Sequence, residues 1–453
     1  MGFYRLVLST FLIIICIGFF QPVFALSKIT SSTFTLKNGL KVVVIPQHRI
    51  PAVAHIIFFH AGSSDDPPGH SGVAHYLEHM MFKGTKKYPE GQYDHIIERM
   101  GGTQNAFTSR DMTAYYAVVA SEHLEKVMEL ESDRFENWQP SEKTFRSERD
   151  VITEERRTRV DNDPSAQLGE AILAALYRNH PYHTPLIGWM HEIQRLGLED
   201  IERFFRGHYS PNNAMLLLVG DITPEKAKTL AEKYYNNWKK TPLLPRIMRE
   251  EPPRITAETI VLKHPEVRQP QWSRTYDAPS LLYGDKSLVV PLIVLEQVLG
   301  GGQTSLLYQE LVVKRKIATD ADADYSGYTI GPSPFSVDIT PAASVTFDQI
   351  DAAYRDVLRD VKLNGVDPAA LARAKNLMKA SSIYSRDGLE RLAFNIGQLY
   401  MLGLDENWLE NWPEIIDAVT NDQIKQAATS VLVNDLSITA YLLPKAEANA
   451  RKH

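Results

Sequence analysis

AMLLLVGD, residues 214–221, decides the fold, because a counterpart, LSITAYLLP, stands at residues 436–444. Each is a short apolar run ended by a turn-forming residue, which reads as a buried strand. A helical stretch precedes each run, and its apolar positions repeat as well. Ile193, Leu196, Ile201, Phe205, Met215 and Leu217 recur as Ile416, Val419, Ile424, Ala428, Ile438 and Ala440 at one constant offset. Charged positions do not recur. A repeat confined to apolar positions predicts an α+β chain of two similar αβ domains in tandem, each a sheet with helices packed on it.

Outward from these strands, LPRIMREEPPRITAE at residues 244–258 is Pro-rich and charged, and reads as a linker. The expected domains are therefore 26–243 and 259–445, with a tail at 446–453. At the amino terminus Arg5 precedes an apolar run over residues 6–20, and Val23-Phe24-Ala25 suits signal-peptide cleavage. A bilayer-crossing helix needs about 20 apolar residues, more than this run offers. Residues 1–25 are thus expected to be a signal peptide. The expected product is exported, periplasmic or secreted, with no stable membrane insertion.

The 453 residues carry a formal net charge of −6, with acidic and basic residues mixed along the chain, so nothing predicts nucleic-acid binding. The single cysteine, Cys16, lies in the signal segment, so any metal site must use His, Asp or Glu.

HSGVAHYLEHMMFKGT, residues 70–85, supplies two such ligands. His75 and His79 are four apart, one turn along a single helical face, and can aim ring nitrogens at one point. Glu78 sits beside that point. Val73, Leu77, Met80 and Met81 form an apolar stripe, so the helix packs on a core with its histidines at an edge. Zinc held by two His and one carboxylate keeps a position for water, whose pKa falls towards about 7, and Glu78 can take the proton as general base. Such a site suits amide hydrolysis.

The third ligand is expected from SERDVITEERRTRV, residues 147–160, which offers Glu148, Asp150, Glu154 and Glu155. Glu148, Val151, Ile152 and Glu155 follow the i, i+3, i+4, i+7 rule, so two carboxylates share a stripe with two apolar residues expected to be buried. Buried carboxylates need partners. Zinc would serve Glu155, and a hydrogen bond to a ligand histidine would serve Glu148. Glu154, about 100° around the helix, is expected in solvent.

With these residues in view, the chain resembles the pitrilysin and mitochondrial-processing-peptidase family, whose H-x-x-E-H motif is followed downstream by a ligand glutamate. The likeness extends to GGTQNAFTSRDMTAYY from Gly101, HPYHTPLIGW from His180 and YSPNNAMLLLVGD from Tyr209. It implies one zinc per chain and two domains of similar fold. Two such chains would close like a clamshell on peptides or unfolded protein segments. It also implies that Asn105, Ala106 and Phe107 lie on an edge strand that binds extended substrate by β-augmentation.

One departure stands out. Relatives carry an Arg and, seven residues on, a Tyr that bind the substrate carbonyl; aligned on Glu310-Leu311, those places hold Val312 and Thr319. Arg315 and Tyr325 are mis-spaced. The expectation is a heterodimer whose other subunit lacks zinc ligands but supplies Arg and Tyr, with a homodimer using Arg315 or another donor as the alternative. A non-catalytic assembly subunit and a peptide-binding module that retains the fold are the competing functions. Glu78→Gln separates the latter from an enzyme.

Overall fold

The computed structural model describes residues 28–247 and 249–445, so the expected signal peptide at 1–25 and the expected tail at 446–453 lie outside the described residues. The first sheet is built from β1 (Ser32–Thr35), β2 (Lys41–Pro46), β3 (Ala52–Phe59), β4 (Thr103–Thr108), β5 (Thr113–Ala120) and β6 (Ala214–Gly220), in the order β1-β2-β6-β3-β5-β4. The second comprises β7 (Glu258–His264), β8 (Gln271–Ala278), β9 (Ala318–Asp324), β10 (Ser333–Pro341) and β11 (Ile438–Pro444), in the order β7-β11-β8-β10-β9. Without β1 the two orders are the same. The senses match too: β2–β6 and β7–β11 are parallel, and every other pairing in both sheets is antiparallel. The chain is two sheet-plus-helix domains in tandem.

Both faces of the first sheet are covered, which is why β6 reads as an unbroken apolar run instead of an alternating one. Leu216 and Leu218 face a core shared with Val73, Leu77 and Met80 of α1 (Val73–Met80). After α1 come α2 (Gln92–Arg99), α3 (Leu124–Asn137), α4 (Glu142–Arg156) and α5 (Pro164–Leu176). Phe145 and Ile152 of α4 join the same core. Met215, Leu217 and Val219 face the other way, with Ile56 and Phe58, onto Leu392, Ala393, Ile396 and Leu399. Those four belong to the helix Leu389–Met401, which comes from the second half. It lies so close that a Cβ on Gly397 would stand 2.2 Å from the Phe58 ring.

The second sheet is served in return. Leu168 of α5 packs with Val267, Ala440 and Leu442, and Leu176 and Tyr177 pack with Ile438. Each half therefore lends a helix to the other's sheet. Residues 241–247 and 249–257, between the two sheets, hold no helix or strand, yet they are tied down. Arg246 pairs with Asp65 at 2.6 Å, and Glu251 accepts the backbone N–H groups of Arg178, Asn179 and His180.

Candidate metal centre

Helix α1 starts at Gly72, whose φ of 85° only glycine adopts easily. A Cβ there would meet the carbonyl oxygen of Ile187 at 2.3 Å. With no side chain to cap the helix, Asp66 does so from outside, its carboxylate accepting the N–H groups of Gly72 (2.6 Å) and Ala74 (3.0 Å). Val73, Tyr76, Leu77 and Met80 anchor the inward face, leaving His75, Glu78 and His79 along the rim of an open cleft. The two imidazole centroids are 4.7 Å apart.

Helix α4 approaches this rim, its first turn capped by the Ser141 hydroxyl, which accepts the N–H of Thr144 at 3.1 Å. It brings Glu148 and Glu155 to the two histidines. Oε2 of Glu155 lies 3.2 Å from Nε2 of His79 and 3.7 Å from Nε2 of His75, while Oε1 takes Nε of Arg159 at 3.0 Å. Glu148 Oε1 stands 2.8 Å from Nδ1 of His79, and its other oxygen takes Nζ of Lys83 at 2.6 Å. The Glu148 contact holds a proton on Nδ1 of His79 and turns Nε2 towards Glu155, where it can donate its lone pair once a metal replaces its own proton.

These residues fit a zinc ion. The ligand atoms of His75, His79 and Glu155 lie within 4.8 Å of one another, and no other His, Asp or Glu cluster of this kind occurs among the described residues. Oε2 of Glu155 is buried and has no hydrogen-bond partner, although two ring nitrogens are close. Tetrahedral ligands ~2.0–2.2 Å from zinc stand ~3.3–3.5 Å apart, and the separations of 3.2 and 3.7 Å bracket that value. Two nitrogens and one carboxylate oxygen are a borderline-soft set suited to zinc.

Burial raises the pKa of Glu78, a shift moderated by the Thr108 hydroxyl, which donates to Oε2 at 2.5 Å. Burial, with the charge of His79, lowers His75 to about 4. Burial also acts to lower His79, but the carboxylates of Glu148 and Glu155 outweigh it and raise the ring to about 9. In the metal-free state a proton on His79 thus offsets the surplus negative charge.

The cleft, about 1030 Å³, is bounded on one side by β4, including Asn105, Ala106 and Phe107. β4 pairs only with β5, so its outer edge is unpaired among the described residues. The N–H of Ala106 goes instead to the Asn105 side chain at 2.9 Å. Phe107 turns its ring away onto Phe58 and Phe394 and offers the cleft mainly backbone.

One expectation needs correcting. Val151 is 49 % exposed and lines the cleft, whereas Ile152, its neighbour in the expected buried stripe, is fully buried. The helix rolls enough to spend one of the two positions on the cleft wall. Three residues were absent from the sequence reading: Thr108, Lys83 and Arg159, which hold Glu78, Glu148 and Glu155. The i, i+4 rule could have found one of them, since Arg159 follows Glu155 by four; Lys83 lies beyond the end of α1 and reaches Glu148 only through the fold.

Among the described residues, none of the second half lines the cleft. Val312 packs against the second core and Thr319 is exposed on β9, bonded to Gln269. Arg315 is held by Glu310 at 3.0 Å, and Tyr325 is buried with its hydroxyl on the carbonyl of Pro279.

Residues 41–189 match the family described as insulinase (peptidase family M16), and residues 195–378 match the peptidase M16 inactive domain. A zinc protease of Helicobacter pylori, PqqE, is 36% identical over 290 residues, covering 63% of this chain and 65% of that protein. An uncharacterized zinc protease of Bacillus subtilis, YmxG, is 24% identical over 413 residues, covering 89% of this chain and 96% of that one. The crystal structure of a protease from Helicobacter pylori superposes with a TM-score of 0.86 at 29% identity, covering 92% of this chain and all of that one. With both halves matched in chain order, the chain belongs to peptidase family M16, the insulinase family of zinc-dependent proteases.

Proposed function

We propose that this chain is a zinc endopeptidase that cuts peptides or unfolded protein segments, with His75, His79 and Glu155 holding the ion and Glu78 acting as general base. The observation that carries this reading is the convergence of two imidazole nitrogens on a carboxylate oxygen that takes no hydrogen bond, beside a half-buried glutamate and a strand edge unpaired among the described residues. Zinc, when bound, supplies Lewis acidity and lowers the pKa of water. Glu78, held by Thr108 and with its pKa raised by burial, would be the group that takes a proton from the attacking water and passes it to the leaving amine. Glu148 fixes the tautomer and orientation of His79. β4 aligns the substrate through its backbone, which favours chains with a free stretch of main chain and excludes folded proteins.

The same reading assigns the missing carbonyl-binding pair to a homologous subunit, so the active species is a heterodimer with catalytic groups divided between chains. Support comes from the engagement of Arg315 and Tyr325 elsewhere and from a cleft lined by the first half alone. A preorganised oxyanion donor contributes about 2.7–4 kcal/mol, too much to forgo without a substitute. We place the mature enzyme outside the cytoplasm, in a periplasm or beyond, on the strength of residues 1–25. Among the described residues no helix is long and apolar enough to cross a membrane.

The test is to purify the chain alone and with a homologous subunit that carries Arg and Tyr, then measure bound zinc and hydrolysis of an unstructured peptide. One zinc per chain is expected, with turnover only in the pair and its loss in Glu78→Gln while zinc is retained. Turnover unaffected by Glu78→Gln would refute the assigned base. Full activity of the isolated chain would refute the divided site.

A further inference from the structure

β4 ends at Thr108, and Arg110 lies two residues on, in the turn to β5 that the Ser109 N–H closes on the carbonyl of Met112, close to the residue that holds Glu78. Arg110 is half-buried, and among the described residues its guanidinium meets only the face of Tyr182, at 5.2 Å from the ring centre. Among the described residues no carboxylate pairs with it, and those nearby each have another partner on at least one oxygen. Glu170 is gripped at both oxygens by Arg156, 2.9 Å each. Asp111 accepts the Tyr182 hydroxyl and the N–H of Ile330, and Glu155 is taken by Arg159. Arg110 therefore keeps a planar fork of donors unspent in a partly desolvated place.

That fork lines a cavity of about 200 Å³ with Val160, Leu173 and Ile187, and the cavity shares Arg159 and Leu186 with the metal cleft. The walls are mixed, apolar side chains standing beside His183, Thr184 and a Glu170 whose charge is paired by Arg156, and the one unspent guanidinium among them suits a single planar anion. Carboxylate matches the two-pronged donor geometry, and an ammonium or amide would leave the charge unpaired. We propose that Arg110 is the specificity-determining residue of a carboxylate subsite beside the metal cleft, receiving an acidic side chain or the terminal carboxylate of a peptide laid along β4. The subsite rests on the peptide-capture part of the reading above, and its test does not require turnover.

The experiment measures binding of fluorescent peptides to the zinc-loaded Glu78→Gln chain by anisotropy. The probes are a neutral unstructured peptide with both ends blocked, the same peptide with Glu or Gln moved through its central positions, and the neutral peptide with a free carboxyl end. One carboxylate probe is expected to bind about tenfold more tightly than its neutral counterpart. Preference for an internal Glu identifies the side chain as the source, and preference for the free end identifies the terminus. The ratio of acidic to neutral binding should fall to one in Arg110→Gln, persist in part in Arg110→Lys, and fall below one in Arg110→Glu. Equal binding of all probes, or an acidic preference that survives Arg110→Gln, overturns the subsite. If no probe binds, strand capture and subsite fall together. If wild-type chain paired with its partner cleaves nothing while the acidic preference holds, the enzymatic reading fails and the subsite stands.

Discussion

At the scale of single residues, a metal site is as good as the groups behind its ligands. Glu148 touches no metal position, yet it sets which nitrogen of His79 is free. Glu148→Gln keeps the shape but can present its amide N–H to Nδ1, disturbing the tautomer. Zinc affinity should drop about 10–100-fold, measured by competition with a chelator, with little change in secondary structure by circular dichroism. A second prediction concerns His55, which is fully buried, hydrogen-bonded to Tyr235 at 2.8 Å and lowered by burial from 6.5 to about 3. Between those values the unfolded chain binds a proton that the folded chain refuses, so stability is complete above pH 6.5 and declines as pH falls towards 3. His60 and His180, each lowered to about 4 chiefly by burial, act in the same direction. The urea midpoint should therefore fall less steeply over this range in His55→Gln than in wild type. The grouping of His75, His79 and Glu155 was legible from helical spacing. Thr108 was not, because a strand end and a helix rim 30 residues apart meet only through the fold.

At the scale of elements, β4 combines exposure with restraint. An open strand edge invites aggregation, and here the outward N–H of Ala106 is occupied by the Asn105 side chain, an arrangement that a peptide bound as proposed would have to displace. Because that N–H takes no part in the ladder to β5, Ala106→Pro should leave the sheet intact. The expected result is a melting temperature within a few degrees of wild type, unchanged zinc content and peptide binding weakened about tenfold, read by anisotropy. Strands and helices were visible in the sequence where their apolar rhythm was strong, as in β6 and α1. The stripe on α4 misled at Val151 because periodicity reports which residues share a face, and a cleft wall shares its face with the core beside it.

At the scale of the whole molecule, the tandem architecture was legible because apolar positions repeat at one offset. The exchange of helices was not. Leu392 and Ile396 would read the same whether they packed on their own sheet or on the neighbour's, and nothing local distinguishes the two. The exchange makes a direct prediction: residues 28–243 produced alone expose Met215, Leu217, Val219, Ile56 and Phe58, and should bind a hydrophobic dye and aggregate. Production together with residues 258–445 should restore a soluble, dye-silent complex by size exclusion.

The reciprocal helices also limit how anything can enter. Swinging one half of the chain away from the other would strip the cover from two sheets at once, so this polypeptide behaves as a single solid jaw. In the heterodimer proposed above, any gate that admits a long substrate would therefore have to lie between the two subunits.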